Sequence, residues 1–357
     1  MNELEHRILD ILSREIGNPM SISGLAQKIQ NIFGSGDYKN INVAINHMHK
    51  NKLIKLEQSG KSYITSLNFE NYLLIDLLAE MELGRKQNFL AGRQELQMLM
   101  LEIDTYLRPI PLLRSIIMIN PERNSKLNRA ELIIHTGKSD DRKLITDNTL
   151  AIHLIIENLQ KIHNIKIDYL AMEDSILLNL LRSNEANPIR EMMHDKIVIF
   201  NPQYFWSEIR DTIQNGIKIM IEETETSPAK ISEQDLVYGL ARLGYKEMGP
   251  QIKQGKMICI EYIVASLFFH KDARRREAIP IILAKNIDRT NYYLLLFLAR
   301  KYGFEGKMLG ILKALRNLAA HGDLLGEPIR LLEAMRIEEI KADSKSMKEK
   351  LRLYNVT

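Results

Sequence analysis

Between residues 22 and 66 the apolar spacing changes period, and that change restricts the local fold more than any other feature of the chain. Ile22, Leu25, Ile29 and Ile32 recur at helical spacing, and Gly34-Ser35-Gly36-Asp37 then interrupts the pattern. A second helix is predicted over 38–53. Ile41, Ala44, Ile45 and Met48 share one of its faces, and Lys39, Asn42, Asn46, His49 and Lys50 share the other. Leu53-Ile54-Lys55-Leu56 and Tyr63-Ile64-Thr65 flank Gln58-Ser59-Gly60-Lys61, which predicts strand, glycine turn and strand. An amphipathic helix with Leu4, Ile8, Ile11 and Leu12 on its core side precedes the unit.

Two helices joined by a short turn and followed by a basic hairpin resemble the winged helix-turn-helix, which places one helix in the major groove of DNA. The resemblance implies double-stranded DNA as partner. The implied contacts are Lys39, Asn40, Asn42, Asn46 and Lys50 on the recognition helix, with Lys61 and Tyr63 in the wing. Asn suits adenine edges, and Lys neutralises phosphate. The same module also serves dimerisation or protein docking. Between Asp37 and Lys61 there are five Lys against one Asp and one Glu. That surplus supports only a few phosphate contacts, so a homodimer presenting two helices is expected.

At 357 residues the chain exceeds one small core and is read as a multidomain α+β protein. Its formal charge of +4 and pI near 8.8 permit nucleic acid as a partner without requiring it. A single cysteine, Cys259, sits in an apolar run and reads as a core residue; it excludes an intrachain disulfide or a cysteine-based zinc site. The N-terminus lacks the basic-then-apolar pattern of a secretory signal, and no apolar run reaches the length of a membrane span. A cytoplasmic location with no membrane partner is expected.

The boundaries read as 1–68 for the first unit, 69–108 for a helical connector and 109–223 for an α/β domain. An all-α domain over 229–342 and a charged tail over 343–357 follow. Tyr72 to Leu107 favours one long helix or two shorter ones, ended by Arg108-Pro109-Ile110-Pro111. Strands are predicted at 115–119, 131–135, 165–170 and 196–200, interleaved with helices, which indicates a mixed sheet. Thr224 to Pro228 reads as a linker. The tail lacks sustained apolar patterning and reads as a frayed helix or as disordered.

The order of elements from Ser115 to Ile209 resembles the minimal nucleotidyltransferase fold of the DNA polymerase β superfamily. Members of that family carry a Gly-Ser turn after the first strand and three carboxylates that hold two divalent metals. Here Asn120-Pro121 stands in place of Gly-Ser, and Arg129-Ala130-Glu131 in place of the first Asp pair. Only Glu131 and Asp168 match the family's ligands, and an Asp on a strand's outer face is usually just solvated. The departure implies a catalytically degenerate domain used for sensing or assembly, with no cofactor and with a nucleotide or protein as possible effector.

Arg316-Asn317-Leu318-Ala319-Ala320-His321 resembles the motif of the HEPN ribonuclease superfamily. The resemblance implies metal-independent RNA cleavage with His321 as general acid/base and Arg316 steadying the phosphorane charge. The plainer reading is a helix C-terminus at His321-Gly322, where Gly caps and a protonated His favours the dipole. Lys271 to Glu277 reads as a solvated helix junction. His47 and His49 lie two apart and do not share a helix face. The reading favoured overall is a DNA-binding regulator, with the ribonuclease as its alternative.

Overall fold

The computed structural model describes residues 1–34, 36–219, 221, 227–245 and 254–356, so Ser35 and most of the expected 224–228 linker lie outside the described residues. The chain is a mixed helix-and-sheet protein with two small sheets among the described residues. None of the described helices is long and apolar enough to cross a membrane.

Helices Glu3–Arg14, Ile22–Phe33 and Tyr38–Lys50 pack on a three-stranded antiparallel sheet of order β1-β3-β2, with β1 Met20–Ser21, β2 Ile54–Ser59 and β3 Ser62–Leu67. Local chemistry sets the helix ends. Asn2 and Glu5 form a reciprocal capping box, with both hydrogen bonds at 2.9 Å. The Ser21 hydroxyl accepts from the Gly24 amide at 3.0 Å. Gly34 closes the second helix at φ 67°, a conformation that favours glycine. Lys52, at φ 57°, turns the chain into β2, so the third helix stops at Lys50 rather than continuing to Leu53. Ile22, Leu25 and Ile29 are buried as expected, but Ile32 is 55% exposed. It lies in the last turn before Gly34, where Phe33 packs back on the core instead, beneath the Arg7 guanidinium.

The 72–107 segment forms two helices, Leu73–Leu90 and Gln94–Leu107, with Gly92 at φ 74° between them. A four-stranded mixed sheet follows, in the order β6-β5-β4-β7: β4 Leu113–Ile119, β5 Arg129–Thr136, β6 Lys166–Glu173 and β7 Lys196–Phe200. β4 is antiparallel to both β5 and β7. β5 and β6 are parallel, joined by the crossover helix Arg142–His163. The strands' period of two divides their side chains between two cores. Ile117, Ile119, Ile133, Leu170 and Val198 join the first helices and the C-terminal helices in one cluster. Ile116, Met118, Leu132, Ile134 and Ile167 pack under Gln94–Leu107 and the crossover helix.

The described C-terminal residues are helical: Glu233–Arg242, Ile260–Phe269, Ala273–Arg276, Ala278–Lys285, Tyr292–Tyr302, Glu305–Leu318, Gly326–Ala334 and Ser344–Leu353. Cys259 is 4% exposed, a core residue as read. The tail is a helix, as one of its two expected states allowed, but it is packed rather than frayed. Residues 344–353 form a helix capped by Asp343, with Met347 and Leu351 buried four residues apart. That pair is too short a pattern to stand out in sequence. The segment leading to it lies on Gly306 and Gly310, where a Cβ at Gly310 would come within 2.0 Å of the Ile340 carbonyl oxygen.

Candidate functional site

Burial of Ile41, Ala44, Ile45 and Met48 holds one face of Tyr38–Lys50 against the core and turns the other outward. Lys39, Asn40, Asn46, His49 and Lys50 are exposed, and Asn42 is half-buried. The Asn46 amide donates to the Asn42 carbonyl at 2.8 Å. Two histidines fasten the helix. His47 Nδ1 lies 2.6 Å from the buried Glu5 carboxylate, and His49 Nδ1 lies 3.2 Å from the Ile54 carbonyl. Each serves a separate structural contact. Lys61 and Tyr63 stand exposed at the tip of the β2–β3 hairpin, where Gly60 takes φ 62°. Lys55, in the same hairpin, pairs with Glu70 at 2.7 Å. The sequence pattern missed Val43, 63% exposed among these polar residues. An apolar residue out of phase with Ile41, Ala44, Ile45 and Met48 was the available signal.

The second expected site is arranged differently from the family pattern. Glu131 and Asp168 are direct partners in the β5–β6 register, and both are buried, at 2% and 0% exposure. Asp168 is therefore not a solvated surface residue. Arg129 reaches its Oδ2 through Nε at 2.6 Å and Nη2 at 2.5 Å, and Lys166 lies 3.6 Å from Oδ1. Lys301 donates to Glu131 at 3.0 Å, with Arg129 at 3.4 Å. Three cations thus surround two carboxylates. The C-terminal end of Tyr292–Tyr302 closes this face, its Arg300 and Lys301 carbonyls accepting from Lys166 at 3.1 Å and Arg129 at 3.3 Å. Divalent metals need open carboxylate oxygens and no competing cation. These residues do not fit the two-metal centre of the family.

A cavity of about 560 Å³ opens at the C-terminal ends of β5 and β6, the usual place for a ligand crevice beside parallel strands. Thr136, Asn148 and Glu173 line it from the sheet domain, and Glu327 and Arg330 from the helix Gly326–Ala334. Tyr293, which also lines it, donates its hydroxyl to Glu327. Nearby, the Ser115 hydroxyl lies 3.3 Å from His135 Nδ1, Asp174 lies 2.7 Å from His135 Nε2, and Tyr204 donates to Asp174 at 2.7 Å. The order imitates a hydrolase triad. Ser115 and His135 are both fully buried, so no substrate reaches the hydroxyl and the group is structural.

Arg316 and His321 are exposed. The helix Glu305–Leu318 ends at the Ala319 cap, so His321-Gly322 is not its terminus. Gly322 instead begins a 3-10 turn that folds back on the helix, where a Cβ would meet the Arg316 carbonyl oxygen at 2.2 Å. Only glycine tolerates that approach.

No family model, no curated protein and no solved structure matches this chain.

Proposed function

We propose that the chain is a cytoplasmic DNA-binding transcriptional regulator whose first unit is a winged helix. The observation that carries the reading is the outward face of Tyr38–Lys50, which presents Lys39, Asn40, Asn46 and Lys50 from a helix otherwise anchored in the core. Lys61 and Tyr63 in the hairpin supply the wing. The middle domain is a nucleotidyltransferase-like scaffold without its chemistry. Its closed carboxylate face serves assembly, by docking the C-terminal helices through Lys301 and the Arg300 and Lys301 carbonyls. The active form is a homodimer, because one such helix makes too few phosphate contacts to bind tightly.

The test is capture of sheared genomic DNA by the purified protein at near-physiological salt, followed by sequencing of what is retained. Recovery of fragments that share two half-sites supports the reading. Uniform or absent retention overturns it and makes the module a docking unit. A ribonuclease reading is favoured only by the exposure of Arg316 and His321. It requires RNA cleavage without metal, lost in His321→Ala.

A further inference from the structure

We infer that Val43 reads a thymine methyl group in the major groove, so that each preferred half-site carries an A·T pair opposite the middle of the recognition helix. The inference rests on the DNA-binding reading above and adds a specificity-determining residue to it. Val43 is 63% exposed, whereas Ile41, Ala44, Ile45 and Met48 of the same helix are buried to 6% or less. Its neighbours at helical spacing are Lys39 and Asn40 on one side, and Asn46, His47 and Lys50 on the other. An exposed, β-branched residue contributes nothing to this core and favours the helix less than Ala does.

A DNA surface gives that position a use. The thymine methyl is the apolar group that a base edge offers in the major groove, and a valine side chain is a suitable apolar partner. Its χ1 is stiff, so little rotamer freedom is lost on contact. Asn46 differs in this respect. Its amide already donates to the Asn42 carbonyl at 2.8 Å and must leave that bond to read a base. Val43 needs no such rearrangement. Asn40 and Asn46, one turn to either side, suit the adenine edges expected in the same half-site.

The experiment uses the full-length protein. A preferred duplex is selected from a random pool, and each of its thymines is then replaced singly by uracil, which keeps the pairing and removes only the methyl. Affinities are measured for the native protein and for Val43→Ala, which helical circular dichroism should show to be folded. The expected result is one thymine per half-site whose replacement weakens native binding about fourfold, the worth of one buried methyl group. Val43→Ala, which leaves only a shorter methyl, should show a smaller sensitivity and keep its dependence on salt. The inference is overturned if the selected site binds specifically yet no thymine is sensitive, or if Val43→Ala retains the same sensitivity. Failure to select any site overturns the DNA-binding reading itself, and the two failures are therefore distinct.

Discussion

Arg129 and Asp168 stand on neighbouring parallel strands and meet at 2.6 Å, with Asp168 fully buried. The ion pair occupies the strands on which the nucleotidyltransferase resemblance places metal-binding carboxylates. It also forms part of an interface, because Arg129 donates to the Lys301 carbonyl while Lys301 donates to Glu131. A buried charge deprived of its partner is far more costly than an absent pair. Arg129→Ala should therefore lower the unfolding free energy by about 3–5 kcal/mol, and Arg129→Met with Asp168→Leu by much less. Urea denaturation of both variants decides the point. Equal losses would mean that packing rather than charge holds this face.

Glu15 links the first unit to the sheet domain. Its hydrogen bond with His194 at 3.3 Å, and its ion pair with Lys28, outweigh burial and lower its carboxyl from 4.5 to about 2. A carboxylate more acidic in the folded state stabilises it above its unfolded value and loses that stabilisation as pH falls through the folded one. Native stability should accordingly drop between pH 4.5 and pH 2 more steeply than that of Glu15→Gln, by about 2 kcal/mol. Acid unfolding followed by circular dichroism measures the difference. Parallel curves for the two proteins would remove Glu15 from the acid response.

Gly310 makes room for the segment that carries the last helix. A Cβ there would lie 2.0 Å from the Ile340 carbonyl oxygen, which is backbone and cannot rotate away. Gly310→Ala should cost about 1–3 kcal/mol, the usual range for overpacking. It should also release Met347 and Leu351 from the core. Limited proteolysis reads this as new cleavage between residues 337 and 343. An unchanged digestion pattern would show that the tail packs independently of Gly310.

Charge reversal distinguishes the cations expected on DNA from those used within the fold. Lys50 and Lys61 are exposed, whereas Lys55 pairs with Glu70. Lys50→Glu and Lys61→Glu should each weaken DNA binding and reduce the slope of log affinity against log salt by about one. Lys55→Glu should change the slope less. If neither exposed lysine alters affinity, the module does not act on DNA.

Much of the local structure was legible in the chain itself. Ile22, Leu25 and Ile29 marked one helix, Ile41, Ala44, Ile45 and Met48 another, and Gly60 the turn of a hairpin. Such signals are local, because periodicity and turn chemistry act within a few residues. The strands at 115–119 and 196–200 were equally plain, although the antiparallel pairing of β4 with β7 was not. The exposure of Ile32 and the packing of the tail were not legible for one reason: each is decided by what the rest of the chain places beside it. Phe33 replaces Ile32 at the core, and Met347 and Leu351 have a surface to cover only because the other C-terminal helices supply one.

The candidate sites divide along the same line. The exposure of Lys39, Asn40, Asn46 and Lys50 was legible in the chain, because helical amphipathicity alone turns them outward, while Asn42 is half-buried. So was the presence of Arg129 where a carboxylate is expected. The burial of Asp168, the pairing of Lys301 with Glu131 from 170 residues away and the pairing of Lys55 with Glu70 follow instead from how the folded chain brings distant segments together. Charges separated by that much sequence interact only once the backbone brings them within a few ångströms. At that range, the loss of hydration makes each partner's identity decisive.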